Sequence, residues 1–415
     1  MGNEESLAFV MVGHVDHGKS TLIGRLLYDT ESLPDGKIEE IEEAARAAGK
    51  ELEFGFIVDH LREERERGIT IDTAQTFFSS DARDYVIIDA PGHKEFIKNM
   101  ITGASQAEAA VLICSVYEGV GEQTRRHAYV VRMLGLEQVL VVYNKMDLVD
   151  WSQERFLAVK AEMDVFLGRL GVTPTLEVPV SSKLGDNIAF PSESMPWYEG
   201  PTVCEALDRF EKIPPPTAKP MRFPVQDVYE LDGSKLAVGR VESGVLHAGQ
   251  RLRFSPGDRV LEVREIRQYL RDDMTQAEAG ECVGLLFDGD PPPRGQVGCP
   301  EDEEPNVTDR FWCTVFWMSP QALDVGEAEL AFKCATQEQP CRIAALRERI
   351  DSGTLEHLDA AEGMLQPTEV GEVTLETQQP VLLESFYDVQ ELGRFVLVSG
   401  QDVVAGGIVT HTSEA

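Results

Sequence analysis

The chain has 415 residues, of which 38 are Lys or Arg and 72 are Asp or Glu, so its formal net charge is −34. A length of this order implies about three domains at ~150 residues each, and 42% hydrophobic with 27% charged residues is the composition of a folded chain. So acidic a surface repels phosphate backbones and anionic membranes at long range; this weighs against a general nucleic-acid or membrane binder but not against a local anion pocket of backbone N–H groups and one lysine.

No apolar run approaches ~18 residues, so no membrane-spanning helix is expected. The acidic start, Met1 to Ser6, lacks the basic and apolar parts of a signal peptide. Seven cysteines are scattered singly, without a C-x-x-C. A reduced, cytoplasmic protein is the simplest reading.

Residues 7–13 are an apolar run that stops at a glycine, the pattern of a strand buried in a parallel sheet. Similar runs occupy 85–89, 110–115, 139–143 and 176–180, and helix-like stretches occupy 20–28, 95–103, 124–134 and 153–170. Strands alternating with helices predict an α/β domain over residues 1–212, with a mostly parallel sheet and helices on both faces. The proline-rich stretch 213–220 then reads as a semi-rigid connector. Beyond it, short alternating segments at 221–229, 237–242, 251–254 and 260–266 are separated by Gly, Pro and Asp, an all-β pattern. A second proline-rich break at 290–305 divides this part into two small β-barrel domains, 219–300 and 306–415.

The first strand runs into Gly13-His14-Val15-Asp16-His17-Gly18-Lys19-Ser20-Thr21, a G-x-x-x-x-G-K-[ST] phosphate loop between strand and helix. Its glycines let backbone N–H groups turn towards phosphate oxygens, Lys19 reaches the β- and γ-phosphates, and Ser20 offers a hydroxyl to Mg²⁺. After the fourth strand comes Asn144-Lys145-Met146-Asp147. A carboxylate at Asp147 accepts from both N1–H and the 2-amino group of guanine, and adenine has no such donor pair. Asn144 and Lys145 are expected to brace this loop and cover the ring. Ser181, Ser182 and Lys183 follow the fifth strand, where a backbone N–H can meet the guanine O6. Asp89, at the end of the 85–89 strand, suits a water-mediated Mg²⁺ contact, and Gly92 can offer its N–H to the γ-phosphate. Thr70 can close the Mg²⁺ shell and sense that phosphate, making a two-state switch. His14 and His17 make an H-x-x-H, but inside a phosphate cradle that spacing is not read as a metal pair.

These motifs, in this order, resemble the translation-factor group of GTPases: GHVDHGKST at 13–21, EERERGITID at 63–72, DAPGHKEFIKNMITGASQAE at 89–108, NKMDLVD at 144–150 and GDNIAFPSESMPWYEGPT at 185–202. The resemblance extends through both β domains. It implies a GTP/GDP-binding hydrolase with Mg²⁺ in which His93 positions the hydrolytic water. Val15 and Ile69 would form the apolar gate to that histidine, and Asp59 would stand near the Mg²⁺ waters.

Two branches of the group compete. QTRRH at 123–127, SESMPWYEGPT at 192–202, PMRFPVQ at 220–226, FWMS at 316–319 and RIDSGTLE at 349–356 are similar to the GTPase subunit of sulfate adenylyltransferase. His17, where that subunit usually carries Asp, and QDVYELDGSKLAVGRVESGV at 226–245 are similar to the elongation factor that delivers aminoacyl-tRNA. Residues 221–415 hold only Lys235 and Lys333 as lysines, which suits a protein partner better than RNA. The favoured expectation is therefore sulfate activation, in a hetero-oligomer with a catalytic adenylyltransferase subunit and with nucleic acid an unlikely partner. The alternatives are an elongation factor that binds tRNA and a GTP-dependent switch without turnover.

Overall fold

Each strand of the first unit owes its apolar run to burial on both faces. In β4 (Ala109–Ser115) all seven residues are buried. β1 (Leu7–Gly13) pairs in parallel with β3 (Asp84–Asp89) on one side and with β4 on the other. β5 (Gln138–Asn144) and β6 (Leu176–Pro179) extend the parallel sheet beyond β4. β2 (Gln75–Ser79) adds to the far side of β3 in the antiparallel sense, giving the order β2-β3-β1-β4-β5-β6. β2 is absent from the apolar runs because, as an edge strand, it buries alternate residues: Thr76 and Phe78 face inward and Phe77 outward.

The computed structural model describes residues 6–33, 36, 43, 46, 54–55, 58, 75–80, 82–89, 107–213, 216–231, 233–269, 271–326, 329–361 and 363–411. Helices α1 (Lys19–Asp29), α2 (Glu122–Met133), α3 (Gln153–Arg169) and α4 (Val203–Asp208) connect or follow these strands. Ser152 caps α3, and a capping box between Thr202 and Glu205 starts α4. The helix expected at 95–103 lies outside the described residues. Under the sheet, Phe78 stacks on Tyr85 at 4.8 Å and Phe9 meets both edge-on.

The chain divides into two compact units, Met1–Lys212 and Ile213–Ala415. Among the described residues the second unit holds two antiparallel barrels, each closed by six strands. In the first barrel β7 (Phe223–Leu231), β8 (Ser234–Arg240), β9 (Arg251–Ser255), β10 (Arg259–Gln268), β11 (Cys282–Phe287) and β12 (Val297–Pro300) follow the ring β9-β12-β7-β8-β11-β10, and the β9–β10 hairpin closes it. In the second barrel β13 (Val307–Trp317), β14 (Leu330–Cys334), β15 (Gln337–Asp351), β16 (Glu369–Leu382), β17 (Arg394–Ser399) and β18 (Asp402–His411) follow the ring β14-β17-β18-β13-β16-β15, closed by the β14–β15 hairpin. Closure removes the exposed edges that an open sheet of short strands would leave.

The barrels share a small apolar seam of Val297, Cys299, Leu382, Val389 and Leu392. Beside it the buried Arg222 guanidinium donates to Glu303, in the connector between the barrels, and to Glu384 of the second barrel, both at 2.6 Å.

Candidate functional site

The order of the sheet reverses at β1. The chain goes to β3 on one side and then crosses to β4 on the other, and such a reversal leaves a crevice at the carboxyl ends of the strands. The phosphate loop lies there. β1 ends at Gly13, residues Val15–His17 make a single 3-10 turn, and α1 begins at Lys19. Gly18 has φ +87°, and a Cβ at this position would come within 2.4 Å of the Asn144 amide nitrogen. Only glycine meets both constraints. Gly18 supplies no side-chain cap to α1, and a helix N-terminus of this kind is suited to receive a phosphate.

Lys19 is 5% exposed and its ammonium lies 3.0 Å from a carboxylate oxygen of Asp89, itself 2% exposed. They meet because Met11 of β1 is in register with Asp89 of β3. Ser20, one residue into α1, stands on the same helix end. The set suits a triphosphate with its magnesium: a glycine cradle, a buried ammonium, a hydroxyl and a carboxylate.

The base side is built from β5 and the turn after β6. Asn144 closes β5 and is buried. Its amide nitrogen donates to the His17 carbonyl at 2.8 Å, and its amide oxygen accepts from the Ser182 N–H at 2.9 Å. Asn144 thus brackets the phosphate loop and the 181–183 turn instead of facing a base. Lys145 takes a left-handed backbone, φ 67°, and starts the 3-10 turn that carries Asp147. The Ser181 hydroxyl donates to the Asp147 carboxylate at 2.7 Å, and the buried Ser182 hydroxyl has no protein partner. Lys183 is exposed.

Asp59, Ile69, Thr70, Gly92 and His93 lie outside the described residues, and Val15 is described in its backbone alone. Three neighbours of the site carry no recognisable sequence signal. Glu118 places a carboxylate oxygen 2.8 Å from the Lys145 ammonium. Arg155 of α3 holds the turn bearing Glu118 by donating to the Val116 and Tyr117 carbonyls. His127 of α2 is buried; burial first, then the nearby Lys19, His14 and His17, push its imidazole down to about 3. Burial also lowers His17, against the Ile113 carbonyl and Glu118, which raise it. Burial thus disfavours the charged form of both rings, beside the buried Lys19 ammonium.

A phosphate loop at the reversal of a doubly wound sheet, with a guanine-type loop two strands away and two closed barrels following, defines a GTPase of the translation-factor architecture. The Elongation factor Tu GTP binding domain family matches residues 4–230, and the GTP-eEF1A C-terminal domain-like family matches residues 310–410. The chain is 38% identical over 409 residues to Elongation factor 1-alpha of Natronomonas pharaonis, covering 96% of both chains. It is 37% identical over 423 residues to that of Halobacterium salinarum, covering 100% of both, and 39% identical over 429 residues to that of Methanopyrus kandleri, covering 99% of both. The chain belongs to the elongation factor Tu/1-alpha family of GTPases, which bind GTP or GDP with Mg²⁺.

These relatives overturn the favoured expectation of a sulfate adenylyltransferase subunit, and with it the catalytic adenylyltransferase partner and the reading of nucleic acid as an unlikely partner. The scarcity of lysines in residues 221–415, like the net charge, is a poor guide to an RNA partner. A sum of −34 is an average over the surface, and beyond a Debye length of about 8 Å at physiological salt it is largely screened. An RNA contact is decided by the few residues within that distance. The short segments similar to the sulfate-activating branch were scattered, whereas the match to the elongation factors is continuous.

Proposed function

We propose that this chain is a translation elongation factor of the 1-alpha type, a GTPase that carries aminoacyl-tRNA and releases it on hydrolysis. The observation that carries this reading is the end-to-end match, 96–100% of both chains, with relatives named Elongation factor 1-alpha. Among the described residues no helix is long and apolar enough to cross a membrane, and we place the protein in the cytoplasm. The direct test is protection. With GTP the chain is expected to slow deacylation of aminoacyl-tRNA, and with GDP it is not. Equal deacylation rates with GTP, with GDP and without protein would defeat the proposal.

In this reading the backbone of residues 13–20 and Lys19 hold the phosphates, and a magnesium ion, when bound, would offset charge on them. Ser20 and Thr70 would hold that ion directly, Asp89 and Asp59 through water. Asp147 reads the base, with Ser181, Ser182 and Lys183 behind it, and Gly92 meets the γ-phosphate. His93, admitted past Val15 and Ile69, orients the water that attacks the γ-phosphorus in line; the leaving group is the β-phosphate oxygen of GDP. His93→Ala is expected to slow stimulated hydrolysis at least ~100-fold while GTP affinity changes less than about threefold. A parallel loss of affinity would place His93 in binding instead.

A further inference from the structure

The carboxylate of Glu118 needs an explanation. A site that receives a polyanion gains nothing from a negative charge on its rim, yet Glu118 is held there by a rigid turn. Its backbone N–H donates to the Ser115 hydroxyl at 3.3 Å, and Gly119, at φ +86°, closes the turn by donating to the Ser115 carbonyl at 2.8 Å. The Val116 N–H donates to the Asn144 carbonyl at 2.9 Å, fastening the turn to the base loop, and Arg155 grips the turn from α3. So positioned, one Glu118 oxygen accepts from the Lys145 ammonium at 2.8 Å, and the other faces the edge of the His17 ring at 3.6 Å. The second distance is too long for a hydrogen bond; it packs the carboxylate against the phosphate loop.

We propose that Glu118 is a positioning residue for the bound guanine nucleotide. It holds the Lys145 side chain of the base loop in place, and so slows nucleotide release. The proposal rests on the assignment of residues 144–147 as the base site. Lys145 cannot find this geometry from its own turn, because its left-handed backbone presents a long, flexible side chain whose rotamers a fixed acceptor must select. The pair is partly exposed, 24% for the Lys145 side chain and 38% for that of Glu118, so the effect is of moderate size.

The experiment is dissociation of a fluorescent GDP from the full chain with Mg²⁺, in the parent, Glu118→Gln, Lys145→Ala and the double variant. Glu118→Gln is expected to speed release about threefold to tenfold with little change in the association rate. In the Lys145→Ala background the same substitution is expected to add nothing, because its action runs through Lys145. A merely structural role for Glu118 would appear equally in both backgrounds and would overturn the proposal, as would release within about 1.5-fold of the parent. Asp147→Asn separates the two levels of the argument. If that variant fails to change base preference, the base-site assignment is wrong. If it changes base preference while Glu118→Gln is silent, only the role of Glu118 is wrong.

Discussion

In the proposed base site, the single side chain of Asp147 would determine which nucleotide binds. Its carboxylate already accepts from the Ser181 hydroxyl, which fixes its orientation before a ligand arrives. In the proposed site the two guanine donors would then meet an oriented acceptor, and a base without them would leave a desolvated carboxylate unpaired. Asp147→Asn replaces an acceptor by a group that also donates, which suits the 2-oxo group of xanthine. GDP affinity is expected to fall about 10²–10³-fold and XDP affinity to rise, measured by displacement of a fluorescent nucleotide; unchanged selectivity would remove Asp147 from the base site. The placement of Gly18, Lys19 and Asp147 at strand ends is legible in the sequence because each belongs to a short contiguous motif. That of Glu118 is not. It stands in an ordinary Ser-Val-Tyr-Glu-Gly stretch, and its role exists only because β4 lies beside both β1 and β5.

Among the elements, the buried parallel strands announced themselves as apolar runs, whereas the barrels showed only alternation. The 251–254 and 260–266 segments were readable as strands, but the hairpin register that joins β9 to β10 and closes the ring was not. Nor was Arg222, whose partners stand 81 and 162 residues away. That side chain is 6% exposed and answers two carboxylates, one from the connector between the barrels and one from the second barrel. Burial alone would lower its pKa; the neighbouring Cys299, Glu384 and Glu303 together reverse this and hold it above the usual value. Arg222→Ala would leave two carboxylates facing each other without their cation. A loss of about 3–5 kcal/mol is expected in denaturant unfolding of the full chain. Adding Glu303→Gln and Glu384→Gln to Arg222→Ala should recover part of that loss, since the penalty lies mainly in the orphaned charges. A loss below about 1 kcal/mol would mean that water reaches the site and that the apolar seam holds the barrels together unaided.

At the scale of the whole molecule, the net charge of −34 concerns stability and salt more than choice of partner. The chain's 38 cationic side chains can neutralise at most 38 of its 72 carboxylates. The remainder repel one another, and folding brings them closer than they are in the expanded chain. Salt shortens the range of this repulsion from about 10 Å at 0.1 M to about 3 Å at 1 M. Screening therefore favours the compact state, in contrast to a charge-balanced protein, where it mainly weakens surface ion pairs. The thermal midpoint of the full chain is expected to rise from 0.1 M to 1 M KCl. Most of the rise should come at the lower concentrations, and NaCl should act almost equally, because screening depends on ionic strength. Nucleotide and magnesium must be held constant across the series, since ligand binding also raises the midpoint. A midpoint that stays flat or falls would mean that the carboxylates are spaced too widely to repel. A rise seen only with strongly excluded salts such as sulfate would assign the gain to apolar burial.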